Sequence, residues 1–197
     1  SELAHLTVFS EVRPMKVLVL GGSLGAAPLN ALLPPTCDLL CELGLAERIS
    51  IWQQCGERNR AEADMCWQQS RFRGQRVDNY IEDMAEAYRW ADVVIARAGA
   101  LTISELAATA TASALIPLPH AIDDHQTANA KVLSEANAAV LLPQREATPD
   151  RLVAYLTDWI YNPQSLEGMG RAAGEVAAAS AAQSVADIMQ GVARDAV

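Results

Sequence analysis

Small and polar residues follow two apolar segments between positions 97 and 130, and their types suit ligand binding. Residues 99–105, GALTISE, offer backbone N–H groups for phosphate and a carboxylate one turn into a predicted helix. Residues 123–126, DDHQ, present a row of hydrogen-bonding side chains. Open α/β sheets bind ligands beyond the carboxyl ends of their strands. The two segments therefore predict a site for a phosphorylated, hydroxyl-rich ligand.

Glu105 has two interpretations that the residues alone leave open. In the first, Thr102 and Glu105 form a capping box, in which the carboxylate bonds back to the start of the helix. In the second, the N–H groups of Ala100 to Ile103 hold a diphosphate at the positive end of the helix dipole. Glu105 would then accept hydrogen bonds from ribose hydroxyls, as carboxylates do in nucleotide pockets.

The second segment combines capping residues with hydrogen-bonding side chains. Asp123 or Asp124 can cap the helix that follows. A cation site formed by Asp123, Asp124 and His125 is disfavoured, because adjacent residues on one turn rarely converge on one ion. Gln126 can donate to and accept from sugar hydroxyls. We expect Asn129, one turn further on, to brace the loop.

Two further segments are weaker candidates for ligand contact. Residues 21–26, GGSLGA, permit a tight turn, but they match neither the dinucleotide fingerprint nor a P-loop. They fit plain strand-to-helix packing as well as ligand binding. The backbone of Ile81 can meet a base edge, with Met84 as a pliable apolar wall, although the segment also fits an ordinary helix start. The sequence offers no catalytic Ser/His/Asp order or Cys–His pairing.

Composition bounds the class of protein. The chain has 197 residues, 51% of them apolar and 20% charged, which favours one globular domain of ordinary size. A formal charge of −9 argues against nucleic-acid binding. The four cysteines lack metal-ligand spacing and are expected to be reduced thiols. Without a membrane-spanning run or a signal segment, the sequence predicts a soluble protein inside the cell.

The elements that must position these residues alternate along the chain. We predict strands at 16–20, 49–54, 76–81, 92–96, 113–118 and 138–142. We predict helices at 26–43 (broken by Pro34 and Pro35), 57–69, 83–90, 101–109, 124–136 and from 148 onward. Residues 1–14 are interpreted as a linker or edge segment. This alternation predicts an α/β fold with a doubly wound, parallel, six-stranded, Rossmann-like sheet.

Three segments together resemble the MurG family of glycosyltransferases: GGSLGA, YIEDMAEAYRWADVVIARAGALTISELA and PLPHAIDDHQTANA. The resemblance covers about residues 15–195. That family moves N-acetylglucosamine from its UDP carrier onto lipid I, which makes lipid II for peptidoglycan. It has the two-domain GT-B architecture, and this chain resembles the C-terminal half. Residues 15–197 would then be a UDP-sugar donor-binding domain, without the N-terminal acceptor domain.

The resemblance implies a role for each matching position. Ser23 and the Ile81 backbone would contact the nucleotide, Met84 would close over it, and His125 and Gln126 would reach the sugar. The full donor-binding set is Ser23, Ile81, Met84, Gly99, Ala100, Leu101, Thr102, Ile103, Ser104, Glu105, His125 and Gln126. Glu105 would bind the ribose hydroxyls. No catalytic residue is expected in this chain and no cofactor is implied, although a divalent cation could accompany the donor.

The resemblance also implies partners and a location. UDP-GlcNAc would be the donor, and lipid I would bind through the N-terminal domain; other cell-wall or division proteins are further candidate partners. The protein would be cytoplasmic, and its full-length form peripheral on the cytoplasmic face of the inner membrane. The alternatives are another GT-B enzyme, such as a UDP-GlcNAc epimerase, and a non-catalytic nucleotide-sugar or interaction module.

The sequence departs from the family in two places. Ala110-Thr111-Ala112 stands where the family generally has glycine and proline after the SEL helix, so we expect that loop to differ locally. The family's linker arginine, in an Asn-Pro-Val-Arg type segment, has no counterpart here.

Overall fold

A single parallel sheet organises the chain. The computed structural model describes residues 13–21, 26–119 and 124–195, with side chains as far as residue 182. The strands are β1 (Met15–Leu20), β2 (Ile49–Gln54), β3 (Gln75–Asp78), β4 (Val93–Ala96), β5 (Ala112–Leu115) and β6 (Ala139–Leu141). They pair in the order β3-β2-β1-β4-β5-β6, and every pair is parallel. The predicted six-stranded α/β fold is confirmed.

Helices cover both faces of this sheet. They are α1 (Ala27–Glu42), α2 (Arg60–Gln69), α3 (Met84–Trp90), α4 (Ala100–Ala108), α5 (His125–Ser134), α6 (Pro149–Tyr161) and α7 (Pro163–Asp195). One core lies between the sheet and α1, α2 and α6; the other lies between the sheet and α3, α4, α5 and α7. The central strands are apolar on both sides because both sides are covered: Val17, Leu18 and Val19 are all buried.

Two strands end three residues earlier than predicted. Strand β3 ends at Asp78, not at residue 81, and the Ile81 N–H donates to the side-chain oxygen of Gln54 rather than to a strand. Strand β5 ends at Leu115. The Ile116 N–H still donates to the Ala96 carbonyl, but Pro117 has no N–H with which to continue the ladder.

The predicted break of the first helix is wrong. Helix α1 runs without interruption through Pro34 and Pro35. Each interior proline costs about 3 kcal/mol, because a main-chain hydrogen bond is lost and the ring crowds the preceding turn. One face of the helix offsets this cost. Its fully buried members are Leu29, Leu33, Cys37 and Leu40, and burial of one leucine side chain contributes about 1.5–3 kcal/mol.

A buried chain of polar side chains joins α1, β2 and α2. The Gln53 amide nitrogen donates to Asn30 Oδ1 at 2.7 Å, and Gln53 Oε1 accepts from Trp67 Nε1 at 2.7 Å. Asn30 Nδ2 in turn donates to the Cys55 carbonyl at 3.0 Å. Gln53 is fully buried. Since a buried polar group without a partner is costly, this satisfied chain fixes the relative placement of the three elements.

Helix α4 ends in a left-handed turn at Ala110, where φ is 51°. The Ala110 N–H donates to the Ala107 carbonyl and the Thr111 N–H donates to the Leu106 carbonyl, which is the bond pair of a Schellman motif. Glycine usually occupies the left-handed position of this motif. A Cβ atom built on Gly170 of α7 would lie 2.5 Å from the Ala110 carbonyl oxygen, so α7 packs directly against this turn.

We expect Ala110→Gly to raise the free energy of unfolding by about 0.5 kcal/mol. The left-handed conformation costs a non-glycine residue about 1–2 kcal/mol, which glycine would avoid. The greater freedom of glycine in the unfolded chain reduces this gain by about 0.4–1 kcal/mol. Urea denaturation measures the change. Ala108→Gly, in the last helical turn, is the matched control and should lower stability instead. A loss of stability in both variants would contradict the strain at Ala110.

The start of the described chain is tied to the sheet. Arg13 makes two hydrogen bonds to the Asp92 carboxylate, at 2.7 and 2.6 Å. Asp92 also accepts from the Lys16 N–H at 2.9 Å. Residues 1–12 of the predicted linker lie outside the described residues. Among the helices described here, none combines the length and apolar character needed to cross a membrane.

Candidate donor-binding site

The first turn of α4 forms the centre of the candidate site. Gly99 is the N-cap residue, in an extended conformation that carries the chain from β4 into the helix. The N–H groups of Ala100, Leu101 and Thr102 have no intrahelical acceptor, because they belong to the first turn. The Ile103 N–H donates to the Gly99 carbonyl at 3.0 Å. The predicted set of phosphate donors therefore loses Ile103 and keeps the three residues before it.

Side chains of this turn play a smaller part than its main chain. Ser104 Oγ donates to the Ala100 carbonyl of its own helix at 3.1 Å. The Ile103 side chain is buried in the core, while the Leu101 side chain is 73% exposed. What this segment presents to a ligand is a set of main-chain donors together with the carboxylate of Glu105.

The capping interpretation of Glu105 is wrong. The helix begins at Ala100 with Gly99, not Thr102, as its N-cap residue, and no side chain caps its N-terminus. Glu105 is the sixth residue of the helix, whereas the glutamate of a capping box is the third. Glu105 Oε2 instead accepts a hydrogen bond from the Tyr88 hydroxyl at 3.0 Å.

The loop between β3 and α3 forms the part of the site predicted to meet a base. Ile81 is buried, and its N–H already donates to Gln54 Oε1 at 3.0 Å. Met84 is the first residue of α3 and packs half-buried against the core. Asp83 caps this helix by accepting from the Glu86 N–H at 2.8 Å. The Ile81 donor that the sequence offered to a base edge is thus engaged within the protein.

The start of α5 forms the part predicted to meet a sugar. Asp124 is the N-cap residue with φ at 47°, and its side chain makes no capping hydrogen bond. His125 is exposed on the first turn. Gln126 Oε1 accepts from the Leu118 N–H at 2.9 Å, which holds the loop after β5 and leaves the Gln126 amide nitrogen as the donor for a ligand. Asn129 Nδ2 donates to the Ala98 carbonyl at 3.1 Å, so this side chain braces the loop between β4 and α4 rather than the loop before its own helix.

Some predicted positions cannot be placed. Ser23 and Asp123 lie outside the described residues. Within the ranges 13–21, 26–119 and 124–195, no group of three or more His, Cys, Asp or Glu side chains could hold a metal ion.

Arg97 lies close to the candidate site in the chain, and the sequence alone assigned it no role. Arg97 directly follows β4, two residues before the N-cap of α4, and is only 7% exposed. It donates to the carbonyls of Ile116 and Pro117 and to Gln144 Oε1, at 3.0, 3.2 and 2.7 Å. Burial lowers the pKa of Arg97 from its ordinary value. The sequence feature that could have pointed to Arg97 is a charged residue directly after an apolar strand.

Residues 16–190 match the glycosyltransferase family 28 C-terminal domain. The chain belongs to this family. A family 28 relative from Shewanella denitrificans is 47% identical over 184 residues, which is 91% of this chain and 49% of the relative. A relative from Ectopseudomonas mendocina is 47% identical over 92% of this chain and 50% of its own length. Both are named UDP-N-acetylglucosamine--N-acetylmuramyl-(pentapeptide) pyrophosphoryl-undecaprenol N-acetylglucosamine transferase. This family 28 domain spans about half the length of the curated relatives it matches.

Solved structures share the fold of this family 28 domain. Acinetobacter baumannii MurG is 39% identical, with a TM-score of 0.74 over 83% of this chain and 46% of that protein. The UDP-GlcNAc 2-epimerase from Neisseria meningitidis superposes with a TM-score of 0.58 over 89% of this chain and 44% of that protein. At 9% identity, this second likeness shows the fold alone.

Proposed function

We propose that this chain is the donor-binding part of an inverting glycosyltransferase that moves N-acetylglucosamine from UDP-GlcNAc to lipid I and forms lipid II. The observation that carries the proposal is the start of α4. There, the N–H groups of Ala100 to Thr102 have no intrahelical acceptor, and the Glu105 carboxylate of the same helix is not consumed by helix capping. The names of the 47% identical relatives support the same activity.

Each part of the donor has a place in this proposal. The diphosphate would bind the first turn of α4, and the ribose hydroxyls would bind Glu105. The base would lie between the Ile81 backbone and Met84, where the Ile81 carbonyl oxygen can accept from a base N–H. The transferred sugar would meet His125 and the Gln126 amide. Ser23 would contact the nucleotide from the loop after β1.

The chemistry asked of this chain is stabilisation of the leaving group. An acceptor hydroxyl attacks the anomeric carbon, the bond from that carbon to the diphosphate oxygen breaks, and UDP leaves with the electron pair. Main-chain N–H groups at a helix start stabilise the negative charge that develops on the diphosphate. The buried Arg97 guanidinium, two residues before Gly99 in the sequence, would add positive electrostatic potential near this turn. The proton of the acceptor hydroxyl would pass to a base contributed by another part of the enzyme.

Partners and location follow from the same proposal. Lipid I would bind through the N-terminal domain of a GT-B enzyme, and other cell-wall or division proteins are further candidate partners. The complete enzyme would work as a peripheral protein on the cytoplasmic face of the inner membrane, where a lipid-linked acceptor meets a water-soluble donor.

Titration calorimetry on the 197-residue chain tests the donor site. We expect UDP and UDP-GlcNAc to bind with a Kd of roughly 0.1–1 mM, which is about −4 to −5.5 kcal/mol. GDP carries the same diphosphate and ribose and is the matched ligand control for the base; it should bind at least several-fold more weakly. No lipid II should form from UDP-GlcNAc and lipid I with this chain alone.

Two outcomes would contradict the proposal. A folded sample that gives no heat with either UDP or UDP-GlcNAc would exclude a donor site. Conversion of UDP-GlcNAc to an epimer or to free sugar, without an acceptor, would favour an epimerase of the same fold.

A further inference from the structure

Tyr88 lies directly behind the carboxylate assigned to the ribose. We propose that Tyr88 is a positioning residue, whose hydroxyl holds the Glu105 carboxylate in the orientation that binds the two ribose hydroxyls of the donor. This inference rests on the proposed function, because it concerns how the same site selects a ribonucleotide. The two residues are 17 positions apart, and the fold brings them together because α3 and α4 contribute to the same core on one face of the sheet.

The Tyr88 hydroxyl is a fixed donor. The side chain is 5% exposed and belongs to the core beneath α3 and α4. Its hydroxyl lies 3.0 Å from Glu105 Oε2. Burial, the nearby Glu105 charge and the hydrogen bond to it raise the pKa of Tyr88, so the hydroxyl keeps its proton. A carboxylate only accepts, so the proton of this bond belongs to Tyr88.

The contact leaves most of the carboxylate available. An ionised carboxylate has about four acceptor positions on its two oxygens. Tyr88 occupies one of them, and we find no other hydrogen bond to this carboxylate within the described part of the chain. Adjacent 2′- and 3′-hydroxyls can therefore still bind both oxygens. Because the glutamate is held before the ligand arrives, binding does not have to order a long side chain, and this preorganisation favours affinity.

Helix α3 connects this brace to the base side of the site. Met84 and Tyr88 are four residues apart, so they lie on the same face of the helix, one turn from each other. The Asp83 cap fixes the start of that helix. One short helix thus positions both the proposed wall for the base and the brace for the ribose carboxylate.

Paired titrations with UDP and 2′,3′-dideoxy-UDP test the role of Tyr88. Tyr88→Phe keeps the buried ring and removes only the hydroxyl. We expect it to weaken UDP binding by roughly three- to tenfold, which corresponds to losing the preordering of one side chain. It should leave binding of 2′,3′-dideoxy-UDP unchanged, since that ligand lacks both hydroxyls. In a Glu105→Ala background, Tyr88→Phe should change UDP affinity no further.

The controls separate this inference from the proposed function. Tyr161→Phe, at a tyrosine that is 63% exposed at the end of α6, should bind both ligands as the unaltered chain does. If the unaltered chain fails to bind UDP, the proposed function itself is wrong. The positioning role is wrong if the unaltered chain binds UDP and the Tyr88→Phe variant binds it equally well. It is also wrong if the variant loses affinity for UDP and for 2′,3′-dideoxy-UDP to the same extent. Thermal melting establishes that each variant is folded.

Discussion

Glu105→Ala is expected to weaken UDP binding by about 10- to 100-fold while the chain remains folded. A hydrogen bond to a charged group contributes about 1.5–3 kcal/mol, and the proposed ribose contact loses its charged acceptor entirely. The carboxylate does not cap α4, so its removal takes no partner from the helix start. Titration calorimetry gives the affinity, and a thermal melt of the same sample gives the stability.

Glu105→Gln separates charge from shape in this experiment. The amide oxygen can still accept from the Tyr88 hydroxyl, so the buried tyrosine keeps a partner. UDP affinity should fall by an intermediate amount, because one charged oxygen is replaced by a donor. Glu135→Ala, at the exposed end of α5, is the matched control and should leave affinity unchanged. A large fall in Tm with unaltered UDP affinity would show that the Glu105 carboxylate serves the fold alone.

Gln53→Leu is expected to lower the free energy of unfolding by about 3 kcal/mol. Leucine fills nearly the same volume but leaves Asn30 Oδ1 and Trp67 Nε1 without their partners in the core. Each buried polar atom left without a partner costs about 1–3 kcal/mol. Chemical denaturation with urea measures the change from the shift in midpoint at constant slope.

The control for Gln53→Leu lies on a neighbouring helix. Gln69→Leu makes the same chemical change at an exposed position at the end of α2, where it should alter stability by less than about 0.5 kcal/mol. Equal effects of the two substitutions would mean that the buried polar chain does not hold α1, β2 and α2 together.

Hydrophobic patterning was sufficient to predict the fold, and local chemistry explains where it failed. Buried apolar runs such as β4 can only belong to a sheet covered on both faces, so the alternation of strands and helices determined the class. The predicted break at Pro34 and Pro35 was wrong because the strength of the tertiary packing beneath α1 cannot be read from the sequence of that helix. The end of β3 was misplaced because a side chain, Gln54, satisfies the Ile81 N–H.

The candidate site was predictable where it depends on the main chain. A helix starting near residue 100 follows from the apolar strand and the glycine before it, and its free N–H groups follow from helix geometry. Contacts between distant side chains were not predictable. The partner of Glu105 lies on another helix, and the three acceptors of Arg97 lie 19 to 47 residues further along the chain.

A binding site made of main-chain donors, such as the one proposed at the start of α4, can keep its function while its residues are substituted. Every residue except proline carries an N–H group, so the donors at Leu101 and Thr102 survive almost any substitution there. Alanine scanning across this turn would remove side chains and leave the donor set intact. A diphosphate cradle of this kind is therefore invisible to such a scan. Proline, which the first helical turn accepts but which lacks the N–H, is the one standard residue that deletes a single donor without unwinding the helix.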